Sequence, residues 1–110
     1  MIGKYILIGK EPMLVDDLLE WAEWFETADR HVANTVLPSG VRVSTVFLGI
    51  DHSFPPSTEG EPILFETMIF GGEDDSYQER YSTWEEAEAG HEQACKLQLL
   101  KEGQRATSEG

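Results

Sequence analysis

Two runs rich in β-branched and aromatic residues constrain this chain more than any other feature. Residues 41–50 read VRVSTVFLGI and residues 63–70 read ILFETMIF. Both are short, punctuated at their ends and better suited to a pleated strand than to a helix. In the first run Val46, Phe47, Leu48 and Ile50 are consecutive apart from Gly49. That predicts a central strand, or one whose far half enters the core. Gly49 falls where a side chain would be crowded or a bulge is needed. In the second run Ile63, Phe65, Thr67 and Ile69 share one face, and Leu64, Glu66, Met68 and Phe70 share the other. Glu66 therefore needs water, a hydrogen-bond network or an arginine, with Arg30, Arg42 and Arg80 as candidates.

The flanking segments supply the rest of a sheet and two helices. Residues 31–37 (HVANTVL) alternate, and the Pro38-Ser39-Gly40 turn makes them the first arm of a β-hairpin. Residues 4–8 (KYILI) form a short strand punctuated by residues 9–12. Arg80 and Tyr81 make a brief last strand. Asp16 and Asp17 open a helix, their carboxylates at its positive end. Its core stripe is Leu18, Trp21, Ala22, Phe25 and Ala28, with Trp24 off the stripe. The stretch Ser82-Thr83-Trp84-Glu85-Glu86 has capping-box spacing twice, Ser82 with Glu85 and Thr83 with Glu86. A helix follows through Leu100, with Trp84, Ala87, His91, Ala94 and Cys95 on one face. Gly90 inside it costs roughly 1 kcal/mol against alanine, so a strand or helix is expected to pass close by.

The order β–α–β–β–β–(β)–α, with hairpin-length turns, reads as an α+β fold. The expected form is a single antiparallel sheet of about four or five strands with two helices packed on one face. A doubly wound parallel sheet needs more helical crossovers than this chain has. With 110 residues, one domain is expected over residues 1–101, followed by a polar, flexible tail over 102–110.

Charge and composition exclude several classes of function. The hydrophobic content of 40% is too high for a disordered chain. No apolar run approaches the ~20 residues of a membrane span, and the N-terminal stretch has no cleavage-site pattern, so the cytosol is the expected compartment. The lone Cys95 rules out an internal disulfide and a multi-cysteine zinc site; it reads as a small core-facing helix residue. The net charge of −13 argues against nucleic acid and anionic membranes as direct ligands. It fits either high solubility or a basic partner.

The carboxylates are concentrated. Residues 11–29 hold seven and no cation, and residues 73–92 hold eight with only Arg80. If both helices pack on one face of the sheet, their outer sides form one broad negative surface. Its candidate residues are Glu20, Glu23, Glu26, Asp74, Asp75, Glu85, Glu88 and Glu92. The competing set is His31, Arg42, Asp51, His52, Glu66 and Arg80, imidazoles and carboxylates with arginines that suit a small ligand or acid–base work near the 51–61 loop. Its spacing is not diagnostic, because Asp51 and His52 are adjacent and on a strand would point to opposite faces. Asp51 also suits an ordinary turn-capping role, and His91 suits a core histidine with one backbone partner. There is no Gly-x-Ser-x-Gly and no Walker A loop. No catalytic residue, cofactor or metal is assigned.

Four blocks carry a further signal: VSTVFLGIDH, PILFETMIFGG, ERYSTWEEAEAGH and EWFETADRHVANT. Across roughly residues 4 to 95 they resemble a family of small uncharacterised proteins of tailed bacteriophages and prophages. The resemblance implies action in the host cytoplasm and brings no catalytic residues. It implies work such as blocking host machinery, sequestering a signal molecule, or assisting replication or packaging. The expectation is a non-enzymatic, acidic accessory protein that blocks a basic surface of a host protein, such as a nuclease or an anti-phage defence complex. The alternatives are a small-ligand module (a nucleotide-signal sponge or a metal-dependent hydrolase) and a self-associating homodimeric part.

Overall fold

The computed structural model describes residues 3–53 and 60–109, with side chains to residue 104. Pro55 and Pro56, expected to stiffen the long loop, lie outside the described residues. In chain order the elements are β1 (Tyr5–Ile8), β2 (Glu11–Leu14), α1 (Leu18–Thr27), β3 (His31–Val36), β4 (Arg42–Phe47), β5 (Phe65–Phe70), β6 (Gln78–Tyr81) and α2 (Trp84–Glu109). The class is α+β, as the strand and helix patterns require.

The strands do not form a single sheet. β3, β4, β5 and β6 make a four-stranded antiparallel sheet in that order, and β1 pairs with β2 in a separate two-stranded one. Residues 11–14, which read as punctuation, are a strand: Pro12 lies opposite Leu7 on an edge, where its missing N–H costs nothing. Both sheets meet along the continuation of β4. Tyr5 donates its amide to the Gly49 carbonyl at 2.8 Å, and Asp51 donates to Gly3 at 3.0 Å. The chain after β4 thus leaves β3 and takes up β1, turning at Gly49 with φ +78.

The two helices also differ from the expected arrangement. α2 crosses one face of the four-stranded sheet and packs on all four strands, whereas α1 stands on β1. α1 reaches the sheet core through Trp24, whose ring meets Phe47 edge-on at 5.7 Å. Trp24 therefore packs half-buried against the core, and Leu18, assigned to the inner stripe, is 59% exposed. The cause is a clamp one turn away. The Trp21 indole N–H donates to both the Tyr5 and Gly49 carbonyls at 3.1 Å, and Trp21 stacks on Phe25 at 4.7 Å. This fixes the rotation of α1 and brings Phe25 so close to Gly49 that a Cβ there would lie 2.9 Å from the ring.

Both helix starts follow the sequence signals. Asp17 caps α1 by accepting from the amides of Leu19 and Glu20 at 2.9 and 3.2 Å. Thr83 and Glu86 form the reciprocal capping box, each accepting from the other's amide at 3.1 Å. α2 continues past Leu100 to Glu109. Under it lie two apolar clusters, one around Val43, Ile69, Leu37 and Ala94 and one around Phe47, Leu64, Phe65 and Ala87.

Candidate functional site

The face of the four-stranded sheet away from α2 has no described helix packed on it. Strand register sets out its side chains in rows. His31, Val46, Glu66 and Arg80 form one row; Asn34, Ser44, Met68 and Gln78 the next; Val36, Arg42 and Phe70 the third. Four of the six candidate ligand residues, His31, Arg42, Glu66 and Arg80, therefore share one face.

Each of the four already has a partner. Glu66 is buried, and Arg80 Nε donates to its Oε2 at 2.8 Å. Of the partners its position among apolar residues allowed, Glu66 takes an arginine, Arg80. The Arg42 guanidinium lies over the Phe70 ring at 4.4 Å. His31 Nδ1 is 3.1 Å from Asp29 Oδ1. The His31 amide and then its side chain hold the Asp29 carboxyl below its usual range.

The other two residues, Asp51 and His52, lie beyond the end of β4 and do not converge on that row. Asp51 Oδ1 accepts from the Ser53 and Ile63 amides at 2.9 Å each, which closes the two ends of the loop. Burial pushes its carboxyl up, but these amides outweigh burial and hold it below the usual value. His52 Nδ1 donates back to the Ile50 carbonyl at 2.8 Å. Among the described residues no group of three or more His, Cys, Asp or Glu could hold a metal ion.

His91 is buried between α2 and the sheet. Its Nε2 meets Thr35 Oγ1 at 2.9 Å, and its Nδ1 meets Thr45 Oγ1 at 2.8 Å. Thr45 in turn bonds Thr67 at 2.5 Å. Two threonine hydroxyls replace the single backbone partner expected from sequence. Burial pushes the imidazole pKa down, against a smaller upward pull from Glu92. A neutral ring with one N–H and one lone pair suits two hydroxyls, each able to donate or accept.

The acidic candidates fall into two groups. Asp74 accepts from Gln98 Nε2 and Lys101 Nζ, both at 2.6 Å. Asp75 accepts the Gly71 amide at 2.7 Å. Glu88 takes the Trp84 indole N–H and sits 3.7 Å from Lys10. These three hold turns and elements together. Glu20, Glu23, Glu26, Glu85 and Glu92 are exposed and form no ion pair with another described residue.

The two helices do not run alongside one another. The β1–β2 hairpin links them instead: α1 packs on β1, and Lys10 in the hairpin turn reaches Glu88 and the Trp84 ring on α2. Sequence reasoning missed the apolar residues among the α1 carboxylates. Leu19 is 74% exposed, with Glu23 and Glu26 at i+4 and i+7 on the same outer face. The signal was present in the three aromatics Trp21, Trp24 and Phe25, which fill the inner face of so short a helix and leave Leu18 and Leu19 outside.

A polar cleft of about 290 Å³ lies between the β3–β4 and β5–β6 turns and α2, lined in part by Ser39, Gly40, Gly72, Gln98 and Lys101. Its cation is already on Asp74. No protein-family model, no curated protein and no solved structure matches this chain. The bacteriophage connection therefore rests on the four sequence blocks alone.

Proposed function

We propose that this chain is a non-enzymatic accessory protein that docks an acidic helical surface onto a basic surface of another protein. The bacteriophage resemblance suggests a partner in the host cytoplasm, such as a nuclease or a defence complex whose nucleic-acid groove an anionic helix would occupy. The observation that carries the reading is the outer ridge of α1. There Leu19 stands exposed beside Glu23 and Glu26, with Glu20 nearby, and no described cation neutralises the three carboxylates. Unpaired charge on a rigid helix steers a cationic partner, and an apolar residue within it supplies a centre that can be desolvated. Glu85 and Glu92 stand exposed on α2, apart from this ridge; Asp74, Asp75 and Glu88 serve the fold. The test is capture from host lysate on the immobilised protein at rising salt. The reading requires a discrete partner whose retention falls with ionic strength and is lost when Glu20, Glu23 and Glu26 are changed to lysine. Capture that ignores both would end it.

A ligand-binding reading is favoured by one observation, the gathering of His31, Arg42, Glu66 and Arg80 on the open sheet face. A nucleotide sponge using that face gains stability on binding its ligand. Thermal shift with nucleotides and divalent cations tests it, and an unchanged melting temperature across the panel counts against it.

A further inference from the structure

We propose that the open face of the four-stranded sheet is a homodimer interface, occupied by the same face of a second copy of this chain. Three properties of the face point to a second copy. The first is charge. The face carries Arg42 and Arg80 against one carboxylate, Glu66, in a molecule whose formal net charge is −13. Two such chains repel over most of their surface, and this face is where repulsion is least. Glu66 is already neutralised by Arg80, and a two-fold axis running across the strands over Ser44 and Met68 lays the Arg42–Phe70 end of each copy over the His31–Val46 end of the other, where no unpaired carboxylate or cation among the described residues opposes it.

The second property is apolar content. A solvated antiparallel sheet face alternates to polar side chains. Here the outward positions include Val36, 65% exposed, Phe70, 38% exposed, and the half-buried Val46 and Met68. Arg42 lies flat on Phe70 at 4.4 Å, so its stem and ring present a level surface in place of a flexible cation.

The third is area. Four strands about 4.8 Å apart, up to six residues long at about 3.3 Å each, give a face of roughly 400 Å². Counted on both copies it comes to about 800 Å², the size of a weak, transient association. The expected assembly is a reversible dimer of two sheets stacked about 10 Å apart, with α1 and α2 of each copy facing outward.

The experiment is sedimentation equilibrium on the full chain over a concentration series, with three variants. For wild type the mass should rise from 12.4 kDa towards twice that value with concentration. Val36→Asp and Met68→Lys should stay at 12.4 kDa while keeping the wild-type far-UV spectrum. Val36 is exposed enough for the first change to spare the fold. Leu19→Lys, on the outer face of α1, should dimerise like wild type. A wild-type mass of 12.4 kDa up to about 1 mM, where even a weak interface associates, overturns the proposal. So does a dimer that survives Val36→Asp, or one that Leu19→Lys dissociates. The outcome is independent of the acidic docking surface, which lies on α1.

Discussion

Gly90 of α2 lies against the ring of Tyr81 of β6, so close that a Cβ at Gly90 would fall inside the Tyr81 hydroxyl and ring carbons. The interior glycine is thus the point of closest approach between the helix and the last strand. Replacing it with alanine gains about 1 kcal/mol of helix propensity. The ring must then move, and overpacking of this kind costs about 1–3 kcal/mol. Gly90→Ala is expected to lower the melting temperature by several degrees despite the better helix former. An equal or higher melting temperature would show that Tyr81 yields freely.

Trp21 closes the junction between the two sheets with one indole N–H shared by two carbonyls, Tyr5 and Gly49. Trp21→Phe keeps an aromatic ring beside Phe25 and removes the indole N–H together with the second ring, so the loss of the hydrogen bonds comes on top of a small loss of packing. The expected cost is about 1–2 kcal/mol, read by urea denaturation. Hydrogen exchange should rise at the Tyr5 and Asp51 amides, which carry the backbone bonds between β1 and the end of β4.

Burial depresses the pKa of His91 from its ordinary 6.5. Below that value the unfolded chain takes up a proton that the folded chain refuses, so stability falls as pH drops towards the folded-state pKa. Between about pH 7.5 and 5.5, above the carboxylate range, wild type should lose more stability than His91→Gln. The variant should be less stable at the upper pH and show a flatter profile. Parallel profiles would mean that the imidazole is not kept neutral by the fold.

Asp51 works in the opposite pH range. Its carboxyl sits below the ordinary 3.8, so it contributes stability above that pH and loses it as pH falls through the lower folded value. Asp51→Ala leaves the Ser53 and Ile63 amides without their acceptor and should cost about 1–3 kcal/mol at neutral pH. Asp51→Asn keeps one oxygen and should cost less. If the two variants are equally stable, the carboxylate is not what closes the loop.

The central hairpins could be read from the sequence because their signals are local. Alternation gave β5 its faces, Pro38-Ser39-Gly40 marked the β3–β4 turn, and Glu66 announced its need for water, a hydrogen-bond network or an arginine. Asp17 and the Thr83–Glu86 box marked helix starts where they occur. The second sheet was illegible because Glu11 and Pro12 look like punctuation. Only the tertiary pairing with β1, an edge that tolerates proline, makes residues 11–14 a strand. The rotation of α1 was illegible for a related reason. Helical spacing puts Leu18 on the inner stripe and Trp24 off it, and the reverse is decided by an indole hydrogen bond made to residues 16 and 28 positions away. The candidate ligand residues were legible as a list but not as an arrangement. Their common face follows from strand register, and their engagement by Asp29, Phe70 and one another follows from packing.

Docking through α1 depends on three carboxylates, Glu20, Glu23 and Glu26, on a helix of ten residues, and neutralising them removes what steers the partner. Glu20→Gln, Glu23→Gln and Glu26→Gln combined remove the charge and keep the shape, on a surface where such changes alter stability by less than about 0.5 kcal/mol each. The measurement is the association rate of wild type and the triple variant with the captured partner, at low and physiological salt. The rate should be at least tenfold lower for the variant at low salt, with the difference shrinking as salt rises and the melting temperature nearly unchanged. Equal rates at low salt would contradict docking through α1.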